Sequence, residues 1–455
     1  PLLPPFGNTL SSRKEARKPS RIKGSAYFVR IRISLPEVPC VARRRAFSIA
    51  RTSLRWVCVP PASALDLRCD QFKPLDPPET EEIGEIHKCS RSLSPRSPFS
   101  ALPPADVTLF GVVDTGLIYT HQSFDDSKEA DVNKFSMDSG VSSASRFGLK
   151  GTEELGNGLK VGFKLENGFK SDSGELKTSN TLFDREASVS VYSDFGTLSM
   201  GRMGGVGSGA GTYDLVLATA DAFDGGDNNV FGFATSDRYD NMVTYQTPKF
   251  AGLQATVQYS FNEDSVNDKD REGSSAVNRY SSAALTGDFG ALQTVLAYEF
   301  QNYKSFGAAE HDDGQIVYLG GNYDCGFAKT FVMGQYFKGI KAGQLTAISD
   351  ADAKEVDTAG NKYSADGVKG YGVHLGTIVP VAGGDLTVAA YFTDFSVEYA
   401  DHDDDAKSYA FGAKYEYYLS KRTSVYTGAG FAQVKYDDEG SDKTTQAYLG
   451  LTHRF

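Results

Sequence analysis

Six histidines, five cysteines and one dense acidic run are the residues of this 455-residue chain that could do bond-making chemistry, and their spacing argues against it. His374 and His453 fall in alternating segments, and His121, His311 and His402 in or beside polar loops, so no serine–histidine pair can be assembled. Cys40, Cys58, Cys69 and Cys89 lack the paired spacing of a zinc site, and Cys325 stands alone in the second part of the chain. The run Asp401-His402-Asp403-Asp404-Asp405 could bridge divalent cations, but it lacks the spacing and the glycine of a calcium loop and reads as solvated surface. There is no Gly-rich phosphate loop and no nucleophile elbow. These absences point to no enzyme, no cofactor and no metal. The enzymatic alternative is a lipase- or protease-type barrel, which needs a Ser or Asp beside a His on adjacent strands. What remains is the chemistry of fixed charge. Arg146 shares its parity with Gly148 and Lys150, opposite Phe147 and Leu149. An arginine facing lipid near mid-bilayer costs roughly 2–4 kcal/mol, so Arg146 should point into water.

The elements that could hold such a charge begin only at Asp106. Residues 1–105 contain 15 of the 17 prolines, three of the 47 glycines, and 18 basic against 9 acidic side chains. The remainder, 106–455, holds 29 basic and 49 acidic side chains, a formal charge of −20. The basic residues Arg13, Lys14, Arg17, Lys18, Arg21 and Lys23, then Arg43–Arg45, could touch nucleic acid or an anionic membrane. No period of 2 or 3.6 is sustained there, however, and proline recurs every few residues, so no nucleic-acid partner is expected. Residues 1–105 read as a non-native leader, upstream sequence translated in front of the true product, with disordered targeting material as the alternative. A conventional secretory signal is not visible.

From 106 to 455 the pattern is strict alternation. In Gln254–Phe261, Ala255, Val257, Tyr259 and Phe261 share one face, and Gln254, Thr256, Gln258 and Ser260 the other. Sixteen such segments can be laid down, from Asp106–Tyr119 through Ser145–Leu155, Leu159–Phe169, Phe183–Ser193 and Gly196–Met203 to Thr444–Phe455. Short connections such as Gly156-Asn157-Gly158 alternate with long polar ones such as 120–144, 204–238 and 339–369. The two prolines of this part, Pro248 and Pro380, both fall at turns. Tyr415, Tyr417, Tyr418, Phe392 and Phe395 gather toward segment ends, where rings suit the lipid headgroup level. No run approaches 18 apolar residues, which excludes a helical span. An all-β antiparallel transmembrane β-barrel, apolar outside and wet inside, follows.

The residues that carry a resemblance are Asp106-Val-Thr-Leu-Phe-Gly-Val-Val-Asp-Thr-Gly, Ser145-Arg-Phe-Gly-Leu-Lys-Gly-Thr-Glu-Glu-Leu-Gly-Asn-Gly-Leu and Leu182-Phe-Asp-Arg-Glu-Ala. They continue with Phe195-Gly-Thr-Leu-Ser-Met-Gly-Arg, Tyr239-Asp-Asn-Met-Val-Thr-Tyr and the terminal Phe455. Together they resemble the general porins of Gram-negative bacteria, in particular the trimeric β-proteobacterial and Neisserial type, over roughly 106–455. The resemblance implies a 16-stranded barrel in the outer membrane, a homotrimer, and a third long loop, here 204–238, folded into the lumen. It implies passive diffusion of ions and small hydrophilic solutes. Asp214, Asp221, Asp224 and Asp227 are then candidates for the acidic side of the constriction, and Arg146, Arg185 and Arg238, with Arg202, for the basic side. Weak anion preference is expected. On strand parity Arg185 falls with Ala187, Val189 and Val191, which calls for a bulge or for an outer face buried against a neighbouring subunit. The terminal Phe455 looks like the family's signal to the outer-membrane assembly machinery. Lipid bilayer and lipopolysaccharide are the implied surroundings. A substrate-specific channel or an adhesin-like surface protein is the alternative.

Overall fold

The computed structural model describes residues 106–125, 130–223, 233–261, 277–303, 313–345, 354–356, 362–364, 367–398, 403–437 and 440–455. Residues 1–105 and the candidates Asp224 and Asp227 lie outside them.

The chain runs β1 (Asp106–Phe124), β2 (Val132–Ser139), β3 (Arg146–Gly156), β4 (Leu159–Gly168), β5 (Glu186–Ser193), β6 (Gly196–Gly204), the single helical turn α1 (Leu217–Ala220), β7 (Arg238–Gln246) and β8 (Leu253–Ser260). It continues β9 (Arg279–Phe289), β10 (Leu292–Asn302), β11 (Gly314–Asp324), β12 (Lys329–Ile340), a small hairpin β13 (Lys354–Val356) and β14 (Lys362–Ser364), then β15 (Gly367–Val381), β16 (Gly384–Glu398), β17 (Asp403–Tyr418), β18 (Thr423–Tyr436) and β19 (Gly440–Arg454). Setting aside β2 and the hairpin, sixteen strands form the wall, each antiparallel to its sequence neighbours. The ring closes where Val112–Phe124 pairs with Asp442–Arg454. Closure removes every wall edge, which is what lets a sheet cross hydrocarbon with its backbone groups satisfied.

Two differences from the alternation pattern are informative. β2 falls in a stretch that reads as loop, yet it pairs with β1 over Thr115–Gln122, directly above the place where β3 pairs with Asp106–Val112. β2 and β3 are therefore one partner of β1, interrupted at 140–145, where the chain leaves the ladder. Second, β5 begins at Glu186, so Arg185 precedes the ladder and its parity need not be read as part of the strand. Neither a bulge nor a buried outer face is required there.

Alternation sorts the side chains as a bilayer demands. Val257, Leu296, Leu319, Val373, Leu375, Phe411 and Leu449 stand exposed on the outside. Tyr417 and Tyr418 are likewise exposed near a strand end, but Phe395 is 1% exposed and faces inward, alternating with Phe392. Tight turns supply the reversals: Asn157 at φ 53 and Gly158 at φ 78 join β3 to β4 in the left-handed region.

Two stretches of the inner face contrast, here called the charged half and the apolar half. On β3–β6 it carries Arg146, Lys150, Lys164, Glu166, Glu186, Ser188, Ser190 and Ser199. On β11–β16 it carries Ile316, Phe331, Met333, Phe337, Val368 and Phe395, all buried. Apolar side chains of that size do not line water at no cost: fully burying each contributes about 1.5–3 kcal/mol. They are covered by Val206, Val216, Leu217, Ala220, Phe223, Phe233 and Ala234, all from the β6–β7 connection. The hydrophobic effect on one half of the inner wall is thus the force that holds this connection against it.

Candidate functional site

The charged half is built around two carboxylates that face each other across the β4–β5 ladder, Glu166 and Glu186. Arg185 reaches back from just before β5 to place Nε 2.6 Å from Glu166 Oε1, and Arg146 Nε lies 3.9 Å from the same oxygen. Lys164 donates to Glu186 at 2.8 Å and stands 3.4 Å from Glu166. Glu186 also accepts from the amide of Thr212 at 3.1 Å and from its hydroxyl at 2.7 Å, so the β6–β7 connection touches this wall as well. Next to that contact, Tyr213 is 3% exposed and shares a hydrogen bond with the Ser199 hydroxyl at 2.7 Å. Burial pushes the phenol of Tyr213 above its ordinary range. Lys150, level with Lys164 in the β3–β4 register, stands over the Phe110 ring at 5.4 Å.

Arg146 and Arg185 are therefore brought together through one carboxylate. Arg202 and Arg238 are placed differently. Arg202 pairs with Ala187 in the ladder, on the face opposite Glu186 and Ser188. Its Nη1 donates to Asp240 at 2.7 Å and its Nε to the Asp184 carbonyl at 2.8 Å. Arg238 opens β7 beside Tyr239, which points inward and stacks on Tyr280 at 4.0 Å. The charged neighbours of Arg238 are Arg185, Arg202, Asp184 and Asp237, and its Nε is buried with no hydrogen-bond partner among the described residues. It neighbours Arg185 and, among the described residues, does not pair with the Glu166 carboxylate that joins Arg185 to Arg146.

The acidic candidates separate too. Asp214 Oδ1 accepts from the Ala218 amide at 3.4 Å, at the start of α1. Asp221 does not face the lumen as its acidity suggested: it is 3% exposed. Tyr391 donates to its Oδ1 at 2.7 Å, and His374 Nε2 stands 3.4 Å from that oxygen. The next amide, Ala222, donates to His374 Nε2 at 3.3 Å. A carboxylate in this position anchors the chain to β15 and β16.

Four glycines on the inner face make room for the same stretch. A Cβ on Gly320 would lie 2.6 Å from the Ala220 Cβ, and one on Gly376 2.5 Å from the Ala222 Cβ. Gly372 and Gly412 do the same for the rings of Phe233 and Phe223. Residues 140–145 form a second inward segment. Val141 is buried against Ile118, Tyr426 and Tyr448, and Ser142 Oγ accepts from Lys414 at 2.9 Å. Lys414 also lies over the Phe223 ring at 5.5 Å, so one lysine touches both segments.

Lys164 is a site residue that the motif reading missed, although its signal was present: it alternates with Gly162 and Glu166 against Val161, Phe163 and Leu165. The contacts of Glu299 and His374 had no such signal. Glu299 stands between Tyr298 and Phe300 and His374 between Val373 and Leu375, and only the chain crossing to them gives them meaning.

A closed sixteen-stranded wall, apolar outside, with a charged strip and an inserted connection inside, defines a transmembrane β-barrel channel. The chain belongs to the Gram-negative porin family, whose model matches residues 97–453. It is 32% identical over 385 residues to an outer membrane porin protein of Bordetella pertussis, covering 78% of this chain and 96% of that one. Against outer membrane porin protein 32 of Delftia acidovorans the identity is 30% over 345 residues, covering 74% and 86%. Among solved structures, the anion-selective porin from Comamonas acidovorans superposes with a TM-score of 0.56 at 26% identity, over 77% of this chain and all of that one. The protein is accordingly an outer-membrane porin, a passive diffusion channel for small hydrophilic solutes and not an enzyme.

Proposed function

We propose that solutes pass through the part of the lumen that the β6–β7 connection leaves free, alongside the strip of Arg146, Arg185 and Lys164, and that this strip gives the channel a weak anion preference. The observation that supports it is the local balance: three cations, Arg146, Arg185 and Lys164, meet two carboxylates, Glu166 and Glu186, leaving one positive charge in excess. At a narrow point this excess acts on a solute at close range, whereas the acidic loops act through solvent that screens within about 8 Å at physiological salt. The anion selectivity in the name of the Comamonas acidovorans structure favours the same sign. Each charge acting through water at ~8 Å is worth about 0.5 kcal/mol, roughly a factor of two in ion preference. Reversal potentials in a salt gradient test this: the wild type should prefer anions, and Arg146→Ala with Arg185→Ala should lose or invert the preference. Unchanged selectivity in the double variant overturns the assignment. Arg238, which does not pair with Glu166 among the described residues, should shift it less, as should Arg202, which Asp240 neutralises. Asp214 remains the described acidic candidate.

The working unit is proposed to be a homotrimer in lipid and lipopolysaccharide, with the short turns periplasmic and the long connections outside. Chemical cross-linking in native membranes reads the first. Phe455 is proposed as the mark recognised by the assembly machinery; its amide and carbonyl bond Gly111 at 3.1 Å, so it also finishes the closing ladder. The working channel is proposed to comprise 106–455, tested by the conductance of protein starting at Ala105.

A further inference from the structure

The β6–β7 connection leaves and regains the wall through a narrow stem. The Gly205 amide donates to the Asp237 carbonyl at 3.0 Å, and the Ser236 amide to the Gly207 carbonyl at 3.2 Å. Beneath the stem lies Glu299, in the middle of β10 and 1% exposed. Its Oε1 accepts three hydrogen bonds: from the Gly207 amide at 2.9 Å, the Ser236 hydroxyl at 2.8 Å and the Tyr280 hydroxyl at 2.7 Å. Its Oε2 accepts from the Tyr318 hydroxyl at 3.2 Å. One leg of the stem supplies Gly207, the other supplies Ser236, and the two tyrosines come from β9 and β11. Among the described residues no lysine or arginine pairs with this carboxylate. The fit is close. A Cβ on Gly207 would lie 2.7 Å from the Tyr318 hydroxyl, and one on Gly205 2.6 Å from both the Ser236 and Tyr280 hydroxyls.

We propose that Glu299 is the positioning residue of this channel, a clasp that ties both legs of the β6–β7 connection to the wall and so fixes the width of the passage. The inference rests on the pore reading given above, since only a channel has a width that the clasp can set. The physical ground is that hydrogen bonds to a buried acceptor are costly to leave unmade. Without Glu299 the Gly207 amide and three hydroxyls lose their common acceptor; Tyr280 keeps only Gln258 Oε1 at 3.4 Å, and the Gly207 amide and the Ser236 hydroxyl are left buried without one. Lifting the stem into water then satisfies them better than keeping it docked. A glutamine retains the amide oxygen for Gly207, Ser236 and Tyr280. Its NH2 can donate to the Tyr318 hydroxyl, which already has a second acceptor in the Ala234 carbonyl at 3.3 Å. A leucine of similar length retains none of this.

Single-channel recording in planar bilayers tests the clasp with the full chain and Glu299→Gln, Glu299→Leu and the pair Ser236→Ala with Tyr318→Phe. Glu299→Leu should raise the occupancy of partly closed or flickering levels at least about tenfold, the factor that 1.4 kcal/mol sets. Glu299→Gln should remain within about twofold of the wild type. The Ser236→Ala, Tyr318→Phe pair should fall between them. Heat-modifiable gel mobility reports barrel integrity, and should be the same for all. If Glu299→Leu does not assemble, the Ser236→Ala, Tyr318→Phe pair decides alone: quiet currents overturn the clasp and noisy ones support it. Quiet currents in Glu299→Leu, or a Gln variant as noisy as the Leu variant, also overturn it. Absence of any channel in wild-type protein would instead fail the pore reading.

Discussion

Gly376 offers a direct test of whether the far end of the β6–β7 connection is pressed onto the wall. The perturbation is one methyl group, Gly376→Ala. Its Cβ would stand 2.5 Å from the Ala222 Cβ and 2.9 Å from His374 Cε1. Carbon atoms in contact settle at about 3.5–4.0 Å, so Ala222 must retreat by at least ~1 Å. The wall strand cannot give way, because β15 is paired along its length on both sides. The connection must therefore move toward the lumen, stretching the 3.3 Å bond from the Ala222 amide to His374. Overpacking of this kind costs about 1–3 kcal/mol, which corresponds to roughly 5- to 150-fold in the docked-to-lifted equilibrium. Single-channel conductance should fall, or the current should fluctuate between levels, while heat-modifiable gel mobility stays that of the intact barrel. Ala222→Gly in the same molecule removes the nearest opposing carbon, leaving the 2.9 Å approach to the His374 ring, and should move the trace back toward wild type, a coupling that two independent lesions would not show. A single variant indistinguishable from wild type, or a double variant no better than the single, would refute the contact.

Other outcomes follow from the same geometry. Tyr391→Phe removes the 2.7 Å hydroxyl donor to buried Asp221 and should weaken docking of the segment after α1 by about 1.5–3 kcal/mol, read as extra channel noise. Cys325 is exposed in the β11–β12 turn and is the free thiol of the described residues, so in protein starting at Ala105 a maleimide carried on a polymer too large for the pore should reach it only from the periplasmic side. Labelling from outside intact cells would invert the orientation. Asp125 accepts from Ser441 at 2.6 Å and from Lys443, which hold its carboxyl below the usual range. Its folded pKa lies below the unfolded one, so this tie between β1 and β19 is present at neutral pH and is lost only as acid passes the folded value. Amide exchange at Asp125, corrected for intrinsic rates, should be protected from pH 7 down to the ordinary carboxylate range and lose protection only below it.

Strand alternation was the part of the fold most legible in sequence, because lipid and water on opposite faces impose a period of two that no local propensity has to supply. Leu253–Ser260 and Leu292–Asn302 fall within a residue or so of the alternating segments. β2 was hidden because its ladder partner is the upper half of β1 and because the interruption at 140–145 breaks its continuity with β3. The sites were less legible. Arg146 could be placed by parity alone. Arg202 and Asp221 could not, since an arginine satisfied by Asp240 and an aspartate satisfied by Tyr391 look the same in sequence as exposed ones. Glycines inside strands were the overlooked clue. Gly320, Gly372, Gly376 and Gly412 weaken their own strands, and their positions mark where a second piece of chain lies close.

The apolar half of the inner wall has a practical consequence for anyone wishing to use this barrel as a nanopore. Excising the β6–β7 connection to widen the bore would not leave a plain cylinder. It would bare Ile316, Phe331, Met333, Phe337 and Phe395 to water and leave Glu299 without its amide and serine donors. A wider version should therefore be made by repainting that strip with serine, threonine and glutamine before the loop is shortened. Calibre and lining are here one design variable.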